Sequence, residues 1–165
     1  MKRFILLAFL MVSLGCEKDD ICDQLTPTTP RIVITFYDKL NPTNLKNVTS
    51  LEVTGVGMDD SLAVFNQVSE IRLPLKTTAE NTSYRLEINS TSADFNNEDI
   101  LTFNYTTEEI FVSRACGYKT LFMLTDEAPA VLADSEAADL LWIQNLSVNT
   151  TDIQNEDETH INIYF

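Results

Sequence analysis

The sequence predicts an all-β fold: an antiparallel β-sandwich of roughly eight or nine strands over residues 31–165. Three observations predict it. Apolar residues recur at every second position in short runs, which places alternate side chains on opposite faces of an extended chain. Clusters of turn-forming residues separate these runs about every ten residues. Thr, Val and Ile are frequent while glycines are few, 4 in 165 residues, a composition suited to pleated, half-buried strands.

Ile32, Ile34 and Phe36 define the first strand face, and Asn41-Pro42-Thr43-Asn44 turns the chain. Leu51 and Val53 begin the next run, broken at Gly55-Val56-Gly57 and again at Asn66. Ile71, Leu73 and Leu75 follow, then Tyr84, Leu86 and Ile88, a turn at Asn96-Asn97, and Leu101, Phe103 and Tyr105. Residues 110–114 and 118–124 read as two further strands about Gly117. Residues 129–140, rich in alanine and acids, read as a loop or a single helical turn. Residues 141–148 then form a strand, Asn149-Thr150-Thr151-Asp152 a turn, and residues 160–165 a last strand with Ile161, Ile163 and Phe165 on one face. With no internal repeat and no second boundary, the pattern is one domain of immunoglobulin-like general architecture.

The first thirty residues are of another kind. Lys2 and Arg3 precede an apolar run, residues 4–14, that is too short to span a bilayer as a helix and reads as a secretory signal over residues 1–15. Gly15-Cys16 resembles the lipobox of bacterial lipoproteins, with Ser13 where that pattern usually carries Leu. The resemblance implies cleavage before Cys16 and acylation of its sulfur and amino group. Glu17-Lys18-Asp19-Asp20-Ile21 directly after it resembles the export signal of Bacteroidota surface lipoproteins, with Lys18, Asp19 and Asp20 as its charged core, which implies transfer to the outside of the outer membrane; a solvated tether on the periplasmic face is the alternative. Residues 16–30 read as a lipidated tether, its end stiffened by Pro27 and Pro30.

If Cys16 carries lipid, Cys22 and Cys116 remain as an even pair in an exported chain, and a disulfide is the economical reading; two buried free thiols are the other. Loss of Lys2 and Arg3 with the signal lowers the basic residues from 11 to 9 against 25 acidic ones, so the net charge moves from −14 to −16. Such a chain repels phosphate backbones and anionic headgroups, which excludes nucleic acid as a partner and leaves membrane attachment to the lipid.

Little in the sequence points to catalysis. His160 is the sole histidine and has no nucleophile elbow to serve; placed beside Ile161 and Ile163, it is expected to face solvent or the opposite layer. One histidine makes zinc unsupported. Acidic clusters at Asp59-Asp60, Asn97-Glu98-Asp99, Asp134-Ser135-Glu136 and residues 155–158 fall in expected loops without the EF-hand spacing, and read as solubilising loop tips. No cofactor is expected. Trp142, set among Leu140, Leu141 and Ile143, reads as core more readily than as a glycan platform. Asp60-Ser61-Leu62 resembles the acceptor of Bacteroidota O-glycosylation, which implies Ser61 as a modification site.

Residues 16–22 and 26–38, Arg114-Ala115-Cys116-Gly117-Tyr118-Lys119 and residues 155–164 together resemble an uncharacterised family of Bacteroidota outer-membrane lipoproteins. The resemblance implies that both Cys22 and Cys116 belong to the family pattern, and it carries over no catalytic or ligand residue. The expectation is a lipid-anchored, non-enzymatic interaction or accessory module of the cell envelope. Its partner would be another envelope protein. A surface carbohydrate-binding module is the alternative, and a small hydrolase the weakest reading.

Overall fold

The computed structural model describes residues 21–135 and 140–165. Cys16, Lys18, Asp19 and Asp20, and with them the signal and lipidation readings, lie outside the described residues.

Two sheets face each other. The smaller contains β4 (Glu70–Leu73), β1 (Ile32–Tyr37), β11 (Ile161–Tyr164) and β9 (Asn145–Val148), in that order. The larger runs β10 (Asp152–Ile153), β7 (Gly117–Leu124), β6 (Asn97–Ser113), β5 (Asn81–Ile88), β2 (Leu51–Gly55) and β3 (Ala63–Phe65), with β8 (Ala130–Asp134) also paired to β6. Period-two alternation turns one face of each strand inward. Ile32, Ile34, Phe36, Ile71, Leu73, Ile161 and Ile163 meet Leu51, Val53, Leu86, Leu101 and Phe103 in one core, all 2 % exposed or less. Burial of this apolar surface is the main favourable term in folding.

The sandwich differs from its expected form in several places. Eleven strands stand among the described residues, because β3 and β10, of three and two residues, are too short for a period to register. Pairing is antiparallel except between β1 and β11, which run parallel with Ile34 opposite Ile161. The two strands expected at 101–105 and 110–114 are one 17-residue strand, β6. Residues 130–134, expected as a loop or helical turn, form β8, whose partner is Ile100–Phe103 and Asp99 of β6. β8 prolongs the line of β7 along β6 after a break, across which Asn104 N–H donates to Pro129 O and Thr125 N–H to Asn104 O.

Residues 141–144, expected as strand, are irregular. Trp142 and Ile143 instead plug the core from the side: the indole N–H donates to Leu86 O at 2.9 Å, and the Ile143 N–H donates to Asp99 Oδ2 at 2.8 Å. Asn97-Glu98-Asp99 accordingly lies in β6, not in a loop, and Asp99 is fully buried. Its carboxylate supplies an acceptor where the β-ladder has none.

Residues 106–113 of β6 run beyond β5 and pair with β7 alone. Beyond Phe122 and Met123, which also pair with β10, this arm is two-stranded; it turns at residues 114–116, and the next residue, Gly117, takes a positive φ of 72° that glycine adopts without strain. Cys22 is disulfide-bonded to Cys116 at the turn, closing a separation of 94 residues. The Thr120 N–H donates to Thr29 Oγ1, so the segment between Cys22 and Thr29 is fastened to the arm at both ends. Residues 22–29 of the Thr/Pro segment thus lie against the arm.

Candidate functional site

β3 and β4 are consecutive in the chain and lie at the edges of different sheets, so each leaves one row of backbone groups without a strand partner. Residues 66–69 carry the chain between them, and the Val48–Val68 bridge fixes that crossing. Past it the two strands leave an opening of about 560 Å³ lined by Leu62, Phe65, Val68, Ile71 and Leu73, with Arg31 and Arg72 among its polar groups. A second cavity, of about 310 Å³, shares Leu62 and Pro74 with the first and adds Val56, Met58, Leu75 and Tyr84. Together they form one groove along the side of the sandwich.

The overhanging wall is the β2–β3 connection. Gly57, at φ 89°, permits the turn in which Met58 N–H donates to Gly55 O. That turn and the residues after it leave Val56, Met58, Leu62 and Val64 between 42 and 57 % exposed. Val56, Met58 and Leu62 line the second cavity and form an apolar rim there, while Val64 alternates with Ala63 and Phe65 onto the outer face of β3.

The floor is rigid for a different reason. As the chain crosses from β4 back to β5, its backbone is held by side chains: Tyr84 Oη donates to Pro74 O, Tyr105 Oη donates to Lys76 O at 2.8 Å, and Lys76 N–H donates to Thr82 Oγ1 at 3.0 Å. Thr82 and Tyr105 share a further bond of 2.6 Å. Burial pushes the Tyr84 phenol up to about 12 and also raises that of Tyr105, so both stay neutral donors.

Charged groups gather at the mouth, with Lys76 in the lining of the second cavity. Arg31 grips Glu156 through two side-chain bonds, of 2.9 and 2.7 Å, and Glu156 also accepts from the Arg31 backbone N–H. Arg72 lies 3.6 Å from the same carboxylate and 2.7 Å from Glu70. The Arg31 hydrogen bonds hold Glu156 below the usual carboxylate range. An open, apolar groove between two strand edges suits an extended segment with apolar side chains.

His160 takes no part in the groove's lining. Expected to face solvent or the opposite layer, it is fully buried, and its Nδ1 accepts the Val33 N–H at 2.9 Å. The imidazole stands in for a strand carbonyl where the parallel ladder begins. Burial holds it below the usual histidine range against the pull of Glu158, Glu156 and Asp152. Ser61 is exposed on the β2–β3 connection, next to Leu62 of the rim. Trp142 is 9 % exposed and edge-on to Phe165, which makes it a core residue. Among the described residues no three His, Cys, Asp or Glu side chains converge as metal ligands would. Sequence reasoning missed the groove, whose only signal was three apolar residues at 56, 58 and 62 around a glycine turn.

No curated protein matches the chain, and no solved structure does. Residues 50–165 match a family of unknown function (DUF6452), and the chain belongs to that family. The matched region contains the groove's two edges, Cys116 and His160, and begins after β1.

Proposed function

We propose that this member of an uncharacterised family is a lipid-anchored envelope protein without enzymatic activity, which receives an extended, apolar segment of another envelope protein in the groove between β3 and β4. The observation that carries the reading is the exposed rim of Val56, Met58 and Leu62 beside two strand edges that lack a strand partner among the described residues. An apolar segment laid there gains main-chain hydrogen bonds from an edge and side-chain burial from the rim. The signal-like residues 1–15, Cys16 as the acylated residue and the strongly acidic remainder support anchoring by lipid at the outer membrane. Lys18, Asp19 and Asp20 support the outer surface over the periplasmic face. The carbohydrate-binding alternative is weakened by the burial of Trp142.

A photo-crosslinking side chain at Leu62 in producing cells is expected to capture one discrete envelope protein, and the same group at exposed Phe95 is not. Equal capture at both positions, or none at Leu62 from a folded and envelope-located chain, would sink the reading. Protease added to intact cells is expected to cut the native chain and to spare one with Lys18, Asp19 and Asp20 replaced by alanine. Protection of both places the protein on the periplasmic face.

A further inference from the structure

The arm formed by the outer parts of β6 and β7 carries a pair of exposed aromatic rings. Phe111 and Tyr118 face each other across it, ring centroids 5.4 Å apart, and remain 55 and 67 % exposed. Paired aromatics on a two-stranded ribbon stabilise each other, yet here neither ring reaches the core. The charge is also out of character. The arm's outer end, residues 110–119, carries Arg114 and Lys119 and no acid in a chain whose net charge is −14, and Glu108 and Glu109 lie further back along the arm.

What covers this tip follows from where the chain leads. Cys22 is bonded to Cys116 at the turn, with Cα atoms 4.9 Å apart. Cys16 is six residues earlier, and six residues span at most about 20 Å even when fully extended. Whatever Cys16 is attached to therefore lies within that distance of the arm's tip. Ile21 and Leu25, which flank Cys22, are themselves 78 and 89 % exposed.

We infer that the arm is a foot that rests on the lipid bilayer, with Phe111 and Tyr118 at the headgroup level and Arg114 and Lys119 toward lipid phosphates. The inference rests on acylation of Cys16, the anchor proposed above. Aromatic rings favour the membrane interface because an apolar body and a polar edge meet there, and basic residues beside them meet anionic headgroups. Acylation of both the sulfur and the amino group of Cys16 suffices for attachment, so what a contact at the tip would add is the orientation of the sandwich. β6 would then stand away from the bilayer, carrying Phe95 and the β5–β6 connection outward; Asn97 and Phe111 are about 45 Å apart along an extended strand.

The test uses the oxidised chain from Cys16 onward, which includes every residue of the fold. Its one thiol outside the disulfide, Cys16, is coupled to a maleimide-bearing phospholipid. The product is placed in vesicles of phosphatidylethanolamine and phosphatidylglycerol, with plain or brominated acyl chains. Phe111→Trp and Tyr118→Trp are each expected to lose roughly half of their added emission to the brominated chains, as side chains seated at the interface would. Phe95→Trp is expected to lose none, and the buried Trp142 provides a common background. Equal quenching at 95 and 111, or none at 111 and 118, overturns the inference. An unchanged denaturation midpoint shows that each variant is folded. The mass of the chain extracted from producing cells reads acylation separately. An unmodified Cys16 overturns the anchor and with it the seating in cells. A lipidated Cys16 with Phe111→Trp and Tyr118→Trp unquenched overturns the seating alone.

Discussion

The two halves of β6 are one continuous strand held in place by different means. From Asp99 to Phe103 it lies between β5 and β8, and Asp99, Leu101 and Phe103 are 0 % exposed. From Thr106 to Ser113 it has β7 as its only partner, and Thr106 to Glu109 are exposed on both faces. The inner half is ordered by a core. The outer half is ordered by cross-strand pairs, a glycine turn and a covalent bond at its tip. A two-stranded ribbon is marginal in water by itself, so the disulfide does for the arm what the opposite sheet does for the body.

The contrast is sharpest under truncation. Phe103→Ala is expected to cost about 3–5 kcal/mol in urea denaturation, because a cavity opens where no neighbour can collapse into it. Removal of the Cys22–Cys116 bond by a double change to serine is expected to cost about 2–4 kcal/mol, less than the core change although the closed loop is long. Hydrogen exchange would then show protection lost first from residues 106–120 and kept at residues 99–103; simultaneous loss in both would break the distinction between the halves.

Acid should act on the body and leave the arm alone. His160 is depressed below its usual value, mainly by burial, so its contribution to stability is complete above about pH 6.5 and is lost as the pH falls through its lower folded value. Glu156, lowered chiefly by its hydrogen bonds to Arg31, adds a second loss below the ordinary carboxylate range. His160→Asn keeps an acceptor for the Val33 N–H, and its denaturation midpoint is expected to stay flat between pH 6.5 and pH 5 where that of the native chain declines. An equal decline in both would show that His160 is not the sensor. The smallest effect belongs to Phe111→Ala, about 0.5–1 kcal/mol, since it removes one cross-strand partner and no core.

Most of the architecture could be read from the alternation of apolar residues, because a strand with one buried face writes that face into every second position. The exceptions share a cause. Trp142 and Ile143 look like strand residues because they are apolar and adjacent, but they enter the core from irregular backbone, with Leu140 at φ 71° just before them. Ala130 to Asp134 look like a loop because alanines and an acid give no amphipathic contrast, and the strand is imposed by the exposed edge of β6. Asp99 and His160 resemble surface residues, and their burial depends on backbone N–H groups of Ile143 and Val33 that lie 44 and 127 residues away. The groove was illegible for the same reason: it is made by edges of two sheets, and no single segment contains it.

The parallel register of β1 on β11 also dictates when the molecule can become itself. Ribosomes deliver Ile32–Tyr37 long before Ile161–Tyr164, yet β11 is the strand that joins β1 to β9. Until it arrives, the smaller sheet amounts to one β1–β4 pair and an unattached strand, and the larger sheet has only that pair to close against. Contacts this distant in sequence are slow to form, since the loop entropy must be spent before any pairing rewards it. A growing chain is thus kept from locking early, and its two layers take their final form only once β11 has paired with β1.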